Sequence, residues 1–301
     1  LMNDKQKTRV IINPISGTGN KNNVPALVED ALMSNEREVT IKLTERAGHA
    51  TEMAQQAVSD GFDSVVAIGG DGTINEVARA VARTPVVLGI VPSGSGNGLA
   101  RHLHIPMNVK DALALIARNH VEQVDYCMVN DRPFFCTCGA GFDAQVSHKF
   151  SEAGTRGIVT YIKTTINEFF KYHGENFKIH IDGNLIEEHA FVVACCNAAQ
   201  YGNNAFIAPQ ASMQDGLIDV TLIHNFNLIN GALLGARLIT KQIEHDKHVS
   251  IFRGRDIIIE RDKDDIIHID GDPMLMPRRL EISCVSKGLN VIISPTAIDK
   301  V

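Results

Sequence analysis

An aspartate set among three glycines, Gly69-Gly70-Asp71-Gly72, follows directly on the apolar run Ser64-Val65-Val66-Ala67-Ile68. This is the stretch of the chain best equipped for chemistry. A β-branched run of that length reads as a buried strand. The glycines let the backbone close in on a bound group while an acid is held among them. Thr73, Ile74, Asn75 and Glu76 follow with capping-box spacing, and Ile74, Val77, Ala78 and Val81 recur at helical period. The prediction is a glycine-rich turn feeding a helix N-terminus, whose open N–H groups and dipole favour phosphate. An ordinary tight turn between strand and helix would carry the same local signals.

Two further turns resemble it. Asn13-Pro14-Ile15-Ser16-Gly17-Thr18-Gly19 follows the strand-like Arg9–Ile12, and Pro92-Ser93-Gly94-Ser95-Gly96-Asn97-Gly98 follows Val86–Val91. Neither ends in Gly-Lys-Ser/Thr, so neither is a Walker loop. No turn has the G-x-G-x-x-G spacing of a dinucleotide fingerprint. Each is weak evidence alone, but three in one sheet are hard to explain as plain connections.

The elements that must position these turns alternate up to about residue 125. Val24, Leu27, Val28, Ala31 and Leu32 mark a helix face, Val39, Ile41 and Leu43 a strand, and Ala50, Met53, Ala54, Ala57 and Val58 a helix. Repeated β-α units imply a parallel sheet covered by helices on both faces. Ligands in such sheets sit at the carboxyl ends of the strands. Asn13, Thr44, Gly69–Thr73 and Pro92–Asn97 all fall there. After Asp125 the runs Phe177–Ile181, Ala190–Ala194, Ile218–Ile223 and Ile257–Ile259 are strand-like, and Asp182-Gly183-Asn184 is a hairpin signal. This half reads as mainly antiparallel β, with helical inserts near 157–172 and 228–243. A last strand, Leu289–Ile293, returns to the first domain. The fold class expected is α/β plus β: a nucleotide-binding α/β domain over 1–128 joined by 287–301, and a β-rich domain over 129–286.

Bulk properties narrow the function. The chain has 301 residues, 44% hydrophobic, with a formal net charge of −6, which argues against a nucleic-acid partner. Its six cysteines include no C-x-x-C pair, and those in Cys136-Thr137-Cys138 and Cys195-Cys196 lie in apolar runs. They read as buried free thiols in a reducing compartment rather than a zinc site. No apolar run approaches the ~18 residues of a bilayer span. The residues Leu1 to Lys5 lack the apolar region of a secretory signal. A cytoplasmic protein is expected.

The set of motifs resembles the diacylglycerol kinase catalytic domain family, the soluble bacterial lipid kinases related to sphingosine and ceramide kinases. The matching residues are Asn13-Pro14-Ile15-Ser16-Gly17, Gly69–Thr73 with Asn75-Glu76, and Pro92–Asn97. Gly141-Phe142-Asp143-Ala144, Ile207-Ala208-Pro209, Asp215–Val220 and Asp270-Gly271 match further along, in the right order over nearly the whole chain. The resemblance implies a Rossmann-like N-terminal domain of the NAD kinase and phosphofructokinase kind, with a C-terminal antiparallel β-sandwich. It implies an enzyme that moves phosphate from ATP to a lipid hydroxyl, with nucleotide between the domains and Mg2+ as the metal. Asn13, Pro14, Ser16, Gly17 and Thr44 would contact nucleotide. Gly69, Gly70, Asp71, Gly72 and Thr73, followed by Asn75 and Glu76, would cradle its phosphates, and Ser95 and Asn97 would close the site.

Asp71 and Asp272 are the candidate catalytic acids. The family carries Asp-Gly-Glu where this chain has Asp270-Gly271-Asp272, so the charge stays and the reach shortens by one methylene. A structural metal is implied at the side chain of Asp215 and the carbonyls of Ser212 and Leu217, oxygen donors suited to a hard cation. From spacing alone that segment is an Asp-Gly turn. Ile158, Tyr161, Ile162, Thr165, Ile166, Phe169 and Phe170 form an apolar stripe, either core-facing or one wall of an acyl slot, with Arg156 ahead of it. A lipid substrate also implies transient contact with the inner face of the membrane, assisted by Lys163, Lys171, Arg237 or Lys241. Oligomeric state is left open, a homodimer included. Diacylglycerol is the first-choice acceptor. Gly98 stands where bacterial diacylglycerol kinases have Asp, which makes a sphingoid base or ceramide the alternative. An NAD kinase-like soluble kinase and a non-catalytic binding module are the rival classes.

Overall fold

The computed structural model describes residues 5–17, 23–34, 36–152 and 172–295. The stripe at 158–170, Arg156, Lys163, Lys171, Thr18, Gly19 and the first four residues lie outside them. Two compact units form, one from the chain up to Asp125 together with the stretch from Lys287 onward, the other from Tyr126–Ser286.

The first unit is built on parallel strands β1 (Gln6–Ile12), β2 (Arg37–Leu43), β3 (Ser64–Gly69) and β4 (Val87–Pro92), in the order β2-β1-β3-β4. All six residues of β3 are buried, the continuous apolar run expected of a parallel strand covered on both faces. Helix α1 (Val24–Leu32) packs against the later helix α5 (Val109–Arg118), and α2 (His49–Ser59) packs against α3 (Asp71–Val81). The short α4 (Gly98–His102) follows the loop after β4. Asn108 caps α5 by accepting from Lys110 N–H (2.8 Å), and Asn119 ends it at φ 54°.

The sheet is completed by the far end of a long strand, Arg279–Ile292, where Asn290 and Val291 pair in parallel with Val87 and Leu88 of β4. One bond to a side chain and two between backbone groups fasten this returning segment. Lys287 N–H donates to Asp125 Oδ1 (2.7 Å), Arg83 N–H to Gly288 O (2.9 Å) and Ile293 N–H to His120 O (3.1 Å).

The second unit is an antiparallel β-sandwich. Glu175–Ile181 pairs with Asn184–Ala190 and with Asp256–Glu260, which pairs in turn with the first part of Arg279–Ile292. The Asp182-Gly183 turn has φ 48° and 86°, the two positive angles of a tight hairpin. The facing sheet runs Val249–Gly254, Ile218–Ile223, Val192–Cys196, Thr137–Gly141, Asp265–Ile269, Asp272–Met276. Alternate residues fill the space between the sheets: Phe177, Ile179, Ile257, Ile259, Leu280 and Ile282 from one, Ala140, Val193, Val220, Leu222, Ile267 and Ile269 from the other. Val192, Ala194 and Cys196 point the opposite way, into a second cluster with Phe191, Ile207, Leu234 and Ile243.

Two details depart from the sequence reading. The expected helix at 228–243 spans Leu228–Ile239, and Gly141-Phe142-Asp143-Ala144 opens a helix, Phe142–Glu152, that periodicity did not suggest. All six cysteines are free, five of them buried, and burial raises the thiol pKa of Cys138 and Cys196 well above its ordinary value. Among the described residues no helix is long and apolar enough to cross a membrane.

Candidate active site

Parallel strands end on one edge, so β1, β2, β3 and β4 deliver Asn13, Thr44, Gly70 and Ser93 side by side. Backbone bonds between successive strand ends hold them there. Thr44 N–H donates to Ile12 O (2.9 Å), Asn13 N–H to Ile68 O (2.9 Å) and Ser93 N–H to Gly69 O (2.7 Å). Side chains then tie the three glycine-rich loops together. Asn13 Nδ2 donates to Thr73 Oγ1 (3.0 Å), and Ser16 Oγ lies 3.0 Å from Ser93 Oγ. Within the third loop Asn97 folds back on Gly94, accepting from its N–H (3.0 Å) and donating to its carbonyl (2.8 Å). Arg101 Nε holds Gly96 O from beyond (2.8 Å), a support the sequence did not single out.

Asp71 is the hub. Its Oδ2 accepts from Asn97 N–H (2.8 Å) and its Oδ1 from Gly98 N–H (2.7 Å). Both are charge-assisted bonds to backbone, and they fix the loop after β4 and the start of α4 to the start of α3. The glycines are dictated by this crowding. A Cβ on Gly96 would sit 2.7 Å from Asp71 Oδ2, and one on Gly94 would sit 2.7 Å from Gly70 Cα.

Asp71 opens α3 behind the N-cap Gly70, and no side chain caps that end. The N–H groups of Asp71, Gly72 and Thr73 have no intrahelical acceptor. They form the donor cluster that anions occupy at helix N-termini. Gly72 is exposed, and Thr73 and Asn75 are buried. The capping box expected at Thr73–Glu76 does not form, because the helix begins two residues earlier. Glu76 caps the neighbouring helix instead: Oε1 accepts from Gly48 N–H (3.0 Å), and Oε2 from Ala50 N–H (3.0 Å) and Thr51 N–H (3.4 Å). The remaining predicted residues of this edge face solvent, and a Cβ on Gly17 would strike the Ser93 carbonyl. Pro14 and Gly17 are exposed on the first loop, and Ser95 is exposed on the third.

Asp272 lies in the second unit. It is exposed and pairs with Ile269 across the hairpin turn Asp270-Gly271. Asp270 anchors that turn, accepting from Phe135 (2.9 Å), Cys136 (2.7 Å) and Thr137 (3.1 Å) N–H groups. Asp143, part of the matching Gly141–Ala144 stretch, makes a polar group whose partners the sequence did not indicate. Asp143 Oδ2 accepts from Tyr201 Oη (2.9 Å) and bonds buried His268 Nε2 (2.9 Å), over Gly139, where a Cβ would strike both. At the expected metal segment Asp215 Oδ1 accepts from Leu217 N–H (2.9 Å), and Ser212 Oγ accepts from Gln214 N–H (3.3 Å). That is the turn geometry read from spacing. One carboxylate and two carbonyls remain a donor set suited to a hard cation. Among the described residues no three His, Cys, Asp or Glu side chains are grouped as for a metal ion.

Comparison with known proteins agrees with this architecture. Residues 7–129 match the family model of the diacylglycerol kinase catalytic domain. Residues 136–293 match that of the YegS C-terminal NAD kinase beta sandwich-like domain. A diacylglycerol kinase of Staphylococcus aureus is 29% identical over 279 residues, covering 89% of this chain and 86% of that protein. A crystal structure of a diacylglycerol kinase from Bacillus anthracis superposes with a TM-score of 0.76 at 21% identity, covering 98% of this chain and 99% of the other. An NAD kinase from Archaeoglobus fulgidus, solved in complex with ATP, shares the fold at a TM-score of 0.55 and 13% identity, over 98% and 96% of the two chains.

Proposed function

Because this chain belongs to the diacylglycerol kinase catalytic domain family, extended by the YegS C-terminal domain, we propose that it transfers the γ-phosphate of ATP to a lipid hydroxyl, with diacylglycerol as first acceptor. The observation that carries the reading is the Asp71 clamp, which holds two glycine-rich loops around the N–H groups that one helix start leaves without an intrahelical acceptor. Phosphoryl transfer asks mainly for positioning and for donors aimed at phosphate oxygens. The N–H groups of Asp71, Gly72 and Thr73 supply such donors. The Thr73 hydroxyl accepts from Asn13 and so keeps its own proton to give to a phosphate oxygen. The acceptor hydroxyl attacks the γ-phosphorus as ADP leaves, and its proton passes to a carboxylate. Asp272, exposed at the end of its hairpin, is our candidate for that carboxylate.

Magnesium bound with the triphosphate would offset the charge on its oxygens. Asp71 fits a role beside it through water, since each of its oxygens has one backbone partner and a further lone pair. Asp215, Ser212 and Leu217 would hold a second, structural cation. A bilayer-resident acceptor would bring the protein into transient contact with the inner face of the membrane.

The test is labelled ATP with a panel of diacylglycerol, monoacylglycerol, ceramide, sphinganine, phosphatidylglycerol and NAD. Labelled phosphatidic acid is the expected product. Labelling of sphinganine or ceramide alone would favour the sphingoid reading that Gly98 suggests. Labelling of NAD alone would replace the lipid reading with a soluble one.

A further inference from the structure

We propose that the helix Leu228–Ile239, with the turn that follows it to His248, is a docking surface for anionic phospholipid bilayers. The proposal rests on the reading of a lipid as substrate and names the face that would meet the bilayer. A helix on the surface of a globular unit ordinarily turns charge to solvent. This one does not. Leu234 is buried and Leu238 packs beside it in the cluster with Phe191 and Ile207, while Gly231 lies against the Phe226 ring. At 3.6 residues per turn the opposite side carries Ala232, Leu233, Ala236, Ile239 and Thr240, all exposed and none charged. Leu233 is 50% and Ile239 65% exposed.

The charges nearby are sorted by sign. Arg237 donates to Asp246 Oδ2 (2.8 Å) and to His245 O (3.0 Å), and Asp246 Oδ1 accepts from His248 N–H (3.0 Å). The acid is thereby buried and its charge compensated within the unit. What the turn presents outward is Lys241, His245 and Lys247, with only the half-exposed Glu244 opposing them. Lys241 keeps its ammonium 4.6 Å from the centre of the Phe206 ring, at the edge of the apolar face. An uncharged apolar helix face bordered by lysines suits the boundary between acyl chains and anionic headgroups. A water-facing role leaves this combination without a purpose.

The test is flotation of the full chain with vesicles of phosphatidylglycerol and phosphatidylcholine mixed, and of phosphatidylcholine alone. Wild type should float with the anionic vesicles and be released by salt. Leu233→Gln combined with Ile239→Gln should bind about tenfold more weakly. Lys241→Gln combined with Lys247→Gln should lose most of the salt dependence. Both pairs should unfold at the wild-type temperature and keep wild-type turnover of a monomeric short-chain diacylglycerol. Vesicle binding unchanged in both pairs would overturn the proposal. So would a wild-type dimer that the Leu233/Ile239 pair converts to monomer, because the face would then join two copies of this chain. If no lipid is phosphorylated but the pairs still lose vesicle binding, the docking surface stands and the kinase reading falls.

Discussion

Replacing Asp71 by Asn separates a structural role from a chemical one. The carboxylate accepts Asn97 N–H at 2.8 Å and Gly98 N–H at 2.7 Å, one on each oxygen. An amide of the same shape keeps one acceptor and turns an NH2 group on the other N–H. Asn97 and Gly98 are both buried, so water does not freely replace the lost partner. One charge-assisted bond is lost and one buried donor is orphaned, together about 2–4 kcal/mol. Hydrogen exchange resolved to single amides should show it. Protection of the Asn97 and Gly98 N–H groups should fall by roughly 30- to 1000-fold, at about 1.4 kcal/mol per tenfold. The loop freed in this way should also bind ATP more weakly by calorimetry. Wild-type protection at both amides, with turnover nonetheless abolished, would refute the clamp and leave Asp71 as a purely chemical group.

Four other outcomes are expected. Glu76→Gln uncaps the helix His49–Ser59, costing about 1–2 kcal/mol and lowering the unfolding midpoint by roughly 3–8 °C in a thermal scan. Gly96→Ala forces a Cβ against Asp71 Oδ2, costing about 1–3 kcal/mol in a denaturant titration and weakening ATP binding in parallel. Asp272→Asn, at an exposed position, should leave the unfolding midpoint unchanged while turnover falls about 100-fold. Asp272→Glu, which restores the longer reach, should hold or raise turnover in the same assay.

The edge where the glycine-rich loops gather was legible because its signals are local. A buried β-branched run followed by glycines fixes where a strand stops, and parallel strands place every such stop on one edge. Asn13, Thr44, Gly70 and Ser93 needed nothing more. What those residues do to one another was not legible. Glu76 sits at capping-box spacing from Thr73, but its partner is a helix N-terminus 25 to 28 residues earlier in the chain. Capping signals rank acceptors by distance along the chain, and here the nearer site lies across space. The Phe142–Glu152 helix escaped notice for a different reason. Among the described residues its buried positions are Ala144 and Val146, with Phe142 half-buried, too few apolar residues to raise a helical period above its polar flank. Asp143 and His268 meet over a separation of 125 residues, and the close approach at Gly139 that makes room for them shows only in the structure.

The strand Arg279–Ile292 starts in the sandwich and finishes in the α/β sheet, where its Asn290 and Val291 close the flank of Val87–Pro92. A ribosome therefore releases the whole second unit, Tyr126–Ser286, between the first strands of that sheet and its final member. Until then the nascent N-terminal layer shows an open row of amides and carbonyls, the kind of border that recruits stray strands. That border closes when the ribbon leaving the second unit is carried on into the first.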